Sequence, residues 1–143
     1  MRGGLDNIQE TSTLAGTWKV HMITSGSEWE GWERGDLNIE DSGKYTVTYE
    51  NSKGESGSRQ GVFTLDDNRI IQDAARNLQG IMNQGEDFFV WTETFATGEH
   101  ALGVAVKRSE GFRLSDLTGE WNVQALSTGP DWEGWDRSDW TID

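Results

Sequence analysis

The sequence has no cysteine, one proline and few cations. Without cysteine there is no disulfide framework, no thiolate nucleophile and no Cys-ligated metal site, although the redox compartment stays open. Twelve Lys and Arg against 25 Asp and Glu leave a formal net charge of -13, which repels phosphate backbones and anionic membrane surfaces and argues against a nucleic-acid partner. No run approaches the roughly 18 apolar residues of a membrane span, so no membrane insertion is expected. Met1–Glu10 lacks the apolar core of a signal peptide, and the expectation is a soluble chain whose native compartment the sequence does not name.

What is present is glycine and tryptophan: eighteen Gly and eight Trp in 143 residues. Many tight turns and a core or surface built around large rings follow, and the composition leans all-β. The length suits one domain, or one domain plus part of another.

The chain repeats itself. Leu14–Glu40 laid over Leu117–Asp143, offset by 103 residues without gaps, gives twelve identities in 27 positions, among them Gly16/Gly119, Trp18/Trp121, Trp29/Trp132, Trp32/Trp135, Arg34/Arg137 and Asp36/Asp139. A period near 100 is too long for a solenoid or propeller blade and suits a tandem of whole domains. The expected organisation is an N-terminal tail over 1–13, a complete repeat over 14–116, and the first two strands of a second, truncated repeat over 117–143. A single domain carrying a duplicated hairpin is the alternative.

Period-2 alternation predicts an antiparallel meander within the unit. Trp18, Val20 and Met22 share one face of the first strand, Gly16–Thr24; Leu37 and Ile39 look inward from the second, Trp32–Asp41, whose Arg34, Asp36 and Asn38 face the other way. Strands are also expected at Lys44–Glu50, Gly61–Leu65, Arg69–Asp73, Phe88–Phe95 and Ala101–Arg108, the last with Leu102, Val104 and Val106 on one face. "NSKGESGS", residues 51–58, reads as a polar loop or hairpin tip. Over 72–83 both helix and strand fit, and a strand at Leu78–Asn83 is preferred because its neighbours form a meander and Gly80 weakens a helix. Eight up-and-down strands can close into a barrel and so remove the exposed sheet edges.

"LAGTWKV", Leu14–Val20, and its echo "LTGEWNV", Leu117–Val123, resemble the Gly-x-Trp signature on the first strand of lipocalins and the wider calycin group, which includes avidin-like barrels. The resemblance implies an eight-stranded barrel with an internal cavity. Gly16 and Gly119 would turn the chain into the barrel, Trp18 and Trp121 would close its floor, and Lys107 or Arg108 would pack over the ring. The Thr-Asp-Tyr-like turn and the disulfides of true lipocalins are absent.

The "WEGW" loops carry the candidate ligand-binding residues Trp29, Trp32, Arg34, Asp36, Trp132 and Trp135. Their rings and carboxylates suit a sugar face or a lid over a cavity, or else simply cap the end of the barrel around Gly31 in a positive-φ conformation. Catalysis is not expected: His21 and His100 lie on different strands, and Gln124 replaces His21 in the second copy. No metal site or cofactor is expected, since neither Asp36–Gly43 nor Leu65–Asn68 matches an EF-hand loop. The expected function is a non-enzymatic binding module of a tandem-repeat protein, holding a small apolar or amphipathic ligand. A glycan-binding or protein-interaction module and a purely structural repeat are the alternatives. The 117–143 hairpin, with apolar Trp121, Val123, Trp140 and Ile142 to cover, is expected to be ordered and to pair within the chain or across a homodimer, for instance by taking the place of Leu14–Glu40 in a second copy.

Overall fold

A computed structural model describes residues 13–109, 111, 113–127 and 130–143. The chain divides into two units, Met1–Arg108 and Ser109–Asp143. In the first, nine strands form one antiparallel sheet: β1 Gly16–Ser25, β2 Gly31–Ile39, β3 Lys44–Asn51, β4 Ser56–Val62, β5 Thr64–Leu65, β6 Ile70–Asp73, β7 Leu78–Met82, β8 Phe88–Thr94 and β9 His100–Lys107. Their order across the sheet is β4-β3-β2-β1-β9-β8-β7-β6-β5. The two end strands, β4 and β5, are consecutive in the chain and parted only by Phe63, so the sheet has to curl until its edges meet. The result is the expected all-β up-and-down meander.

The strand count differs from the expected eight at one place. Ser56–Gly57–Ser58 belongs to β4, paired with β3 from Glu50↔Ser56 to Lys44↔Val62, so only the first part of 51–58 is a turn. The glycines of β4 are there for packing. A Cβ on Gly57 would press on the Tyr49 ring, and one on Gly61 on the Tyr45 ring and the Asp73 carboxylate. Phe63 then interrupts the strand, donating its N–H to Gly43 O at 2.9 Å, and the remainder pairs with β6 as β5. The ambiguous 72–83 segment is strand at Leu78–Met82, preceded by one 3-10 turn, Ala74–Arg76.

Aromatic rings fill the inside of the curl. Tyr45 and Phe63 stack at 4.1 Å, and Phe89 meets Phe63 at 6.2 Å, Trp91 at 5.6 Å and Trp18 at 4.9 Å. Rings of this size need small neighbours. From β9 these are Ala101, Gly103 and Ala105, and a Cβ on Gly103 would lie inside the Trp91 indole. The larger residues of β9, Leu102, Val104 and Val106, therefore take the outer face, where Val106 is exposed. Trp18 is fully buried at the floor and donates its indole N–H to Leu14 O at 2.8 Å. Lys107 rather than Arg108 covers it, with Nζ 5.4 Å from the ring centroid.

The second unit contains a 3-10 turn, Leu114–Leu117, and a hairpin of β10 Gly119–Ser127 and β11 Gly134–Ile142. Its register reproduces that of β1 and β2 pair for pair at the same offset, from Gly119↔Ile142 to Ser127↔Gly134 against Gly16↔Ile39 to Thr24↔Gly31. The Trp121 indole N–H bonds Leu117 O at 2.7 Å, as Trp18 bonds Leu14, and the Asn122–Asp139 hydrogen bond takes the place of the Lys19–Asp36 ion pair. The surroundings differ: Trp121 is 44 % exposed and Trp140 55 %.

Replacing Trp18 by Ala should cost about 3–5 kcal/mol, since a buried ring and its hydrogen bond are lost together. Urea denaturation checks this through a lowered midpoint at unchanged slope; an unchanged midpoint contradicts the floor role.

Candidate functional site: the polar half of the interior

At the Gly16 end of β1 the interior is apolar. Toward the opposite end, where β1 runs out and β2 begins, four of the inward charged side chains meet in two pairs. Glu33 lies opposite Met22 and shares the inward face of β2 with Leu37 and Ile39. It is 8 % exposed and is held by Arg59 of β4, whose Nη1 is 3.0 Å from Oε2 while Nη2 bonds Oε1. The Arg59 guanidinium lies over the Tyr49 ring, 4.2 Å from its centroid. Glu93 of β8, 5 % exposed, accepts from Arg76 Nε at 2.9 Å. Arg76 comes from the 3-10 turn, which ends on Asn77 in the left-handed conformation, φ 52°. Nearby, the Tyr45 hydroxyl donates to Asp73 at 2.7 Å.

Electrostatics bind this group together. Burial, then the Asp73 hydrogen bond, pushes the Tyr45 phenol well above its ordinary range, so it stays a donor. Burial works against the Arg76 charge, but the Glu93 carboxylate outweighs it by attraction and hydrogen bonding and holds the guanidinium above its ordinary value.

These residues line one cavity with Val20, Met22, Leu37, Val47, Phe63, Leu78, Phe89 and Trp91. Its volume is about 40 Å³. That exceeds the roughly 10–15 Å³ that one water requires and is well below the roughly 300 Å³ at which ligand pockets usually begin. Two of the lining residues hold a buried donor, Arg59 Nε and Trp91 Nε1, that bonds no protein atom.

The candidates from the WEGW loops lie elsewhere. Trp32, Arg34 and Asp36 alternate outward with Glu33, and none lines the cavity. Arg34 bonds Glu50 at 2.6 Å and stacks on Trp32 at 5.2 Å, whereas Asp36 pairs with Lys19, so Arg34 and Asp36 are not each other's partner. Both ion pairs are about half exposed and contribute about 1 kcal/mol or less. Trp29 is half-buried over Gly31, φ +153°, and Trp132 packs over Gly134, φ +152°, in the same way. Trp32 is 42 % exposed, and Trp132 and Trp135 are more so. The start of β2 is fixed to the β3–β4 turn by Ser52 N–H bonding Trp32 O at 2.9 Å. His21 is exposed on β1, and His100 Nδ1 lies 3.2 Å from Thr94 Oγ1 on the outside. Among the described residues no cluster of three His, Asp or Glu could hold a metal, and no helix is long and apolar enough to cross a membrane.

The interior charges were not singled out in the sequence, although a signal existed for some. Glu33 has the same parity as Leu37 and Ile39, and Glu93 the same as Phe89 and Trp91, which marks both as inward.

No family model and no curated protein matches the chain. Solved structures do resemble it. One is the siderocalin Ex-FABP, described as functioning through dual ligand specificities: 15 % identity, 73 % of this chain and 79 % of that chain covered, TM-score 0.44. What that protein binds remains a property of that protein.

Changing Arg76 to Met strands the buried Glu93 carboxylate and should destabilise the chain by about 3 kcal/mol. Pairing it with Glu93→Leu should restore most of the loss, a coupling that a denaturant double-mutant cycle measures. Additive losses would contradict the ion pair.

Proposed function

We propose that the first unit is a non-enzymatic binding module for a small amphipathic ligand held inside the curled sheet. One observation carries this reading: an otherwise apolar cavity is lined by two ion pairs, and two of its lining residues, Arg59 and Trp91, each hold a buried donor without a protein partner. Buried ion pairs are costly, and apolar residues of similar volume often stabilise a protein as well or better. Their presence at one end of a packed interior is explained by a ligand that is apolar along most of its length and polar at one end. The cavity volume is smaller than the roughly 150 Å³ of a cavity that holds benzene, so such a ligand extends toward the open end.

The exposure of Trp32, Trp132 and Trp135 supports a second reading, a glycan or protein surface formed by the WEGW loops. The tandem organisation is retained as a proposal, supported by the identical register of the two hairpins. Pairing between copies through the second hairpin also remains a proposal, but direct replacement of β1–β2 by β10–β11 meets an obstacle. Ser138 stands where Gly35 does, and a Cβ there would run into the Thr48 carbonyl of β3. Light scattering should therefore show dimers by exchange, if at all, in Ser138→Gly rather than in the parent chain; an exchanged dimer of the parent contradicts this.

The cavity reading is tested with a neutral fluorophore, N-phenyl-1-naphthylamine. Val47→Phe, which fills the cavity, should weaken its binding tenfold or more, whereas Trp32→Ala should leave it unchanged. The reverse pattern, with loss of glycan-array binding in Trp32→Ala, would replace the cavity reading by the loop reading.

A further inference from the structure

We propose that the cavity selects an uncharged ligand carrying a carbonyl-type hydrogen-bond acceptor, and discriminates against carboxylates of the same shape; this rests on the cavity reading above. The geometry separates the two ligand chemistries in three steps. First, both arginines of the lining are already committed. Arg59 meets both oxygens of Glu33, and Arg76 bonds Glu93 through Nε. With Glu33 and Glu93 against Arg59 and Arg76, the formal charge of the lining sums to zero. An entering carboxylate would find no net positive charge, and it would have to displace an internal carboxylate from its arginine or face it as a like charge.

Second, the groups without protein partners are donors of N–H. Trp91 is 8 % exposed, and its Nε1 bonds no protein atom; Arg59 Nε is in the same state. A buried indole N–H left without an acceptor is costly, and an indole has no acceptor of its own, so the complement is an acceptor on the ligand. Trp91 cannot turn away freely to find one, because its ring lies against Gly103 on one side and Phe89 on another. Third, the remaining walls are aliphatic and aromatic: Val20, Leu37, Val47, Phe63 and Phe89 suit a flat apolar body.

The test uses three probes with one skeleton: trans-cinnamamide, trans-cinnamate and trans-β-methylstyrene, titrated into the full chain and followed in an indole ¹⁵N–¹H spectrum and by calorimetry. The expected order of affinity is amide, then hydrocarbon, then carboxylate. The indole resonance that vanishes in Trp91→Phe should move downfield with the amide and not with the hydrocarbon. In that variant the amide should lose about fivefold in affinity, the worth of one net neutral hydrogen bond. If the variant does not fold, the resonance shift in the parent chain decides alone. Glu33→Gln frees Arg59 and should raise cinnamate affinity about tenfold. Tightest binding by cinnamate in the parent chain, or an amide that leaves every indole resonance in place, overturns the proposal while keeping the cavity. Failure of all three probes to bind overturns the cavity reading itself and this inference with it.

Discussion

The structure depends on the closure imposed at Phe63. Because β4 and β5 stand at opposite ends of the sheet order yet adjoin in the chain, the sheet cannot lie flat. Curling creates an inside, and an inside must be filled at close-packed density. The Phe63 ring begins the filling, stacked on Tyr45 and set edge-on to Phe89, which in turn touches Trp18 and Trp91. The rest of the side-chain distribution follows. Opposite the rings the chain needs Ala101, Gly103 and Ala105, and the bulkier residues of β9 are turned outward. Three glycines, Gly57, Gly61 and Gly103, are seats for aromatic rings.

Closure also divides the interior. Toward the start of β1, Trp18, Leu14 and Phe89 form an apolar, buried floor with Lys107 over the indole. Toward its end, Glu33, Arg59, Arg76 and Glu93 come from four separate elements and meet in pairs. A core that only had to be stable would not need them, because desolvating such pairs offsets much of their attraction. The charges that do serve only the surface, Lys19–Asp36 and Arg34–Glu50, lie on the outer face of the same strands, half in water.

Alternation made the first half of the sheet legible. Trp18, Val20 and Met22 inward, Leu37 and Ile39 inward, and Arg34 with Asp36 outward follow from period 2 alone, and the strand at Leu78–Met82 follows from its neighbours. Glu33 obeys the same rule, but the doubled WEGW motif beside it points to the loops. Arg59 was hidden because a Gly- and Ser-rich segment looks like a loop, whereas here glycine makes room for Tyr45 and Tyr49. Arg76 sits in a 3-10 turn, where no periodicity assigns a face. That Arg59 meets Glu33, and Arg76 meets Glu93, depends on how far the sheet curls, which no single strand encodes. Which face of β9 turns inward is undecided by its own sequence for the same reason: it depends on the rings across the interior.

The central claim is that this interior is a prepared polar site and not a collapsed core. A high-resolution crystal structure of the unliganded chain tests it most directly. The account predicts ordered water or a captured small molecule within hydrogen-bonding distance of Trp91 Nε1 and Arg59 Nε, with both ion pairs intact. Rings collapsed into that space, with both donors bonded to protein oxygens, would contradict it.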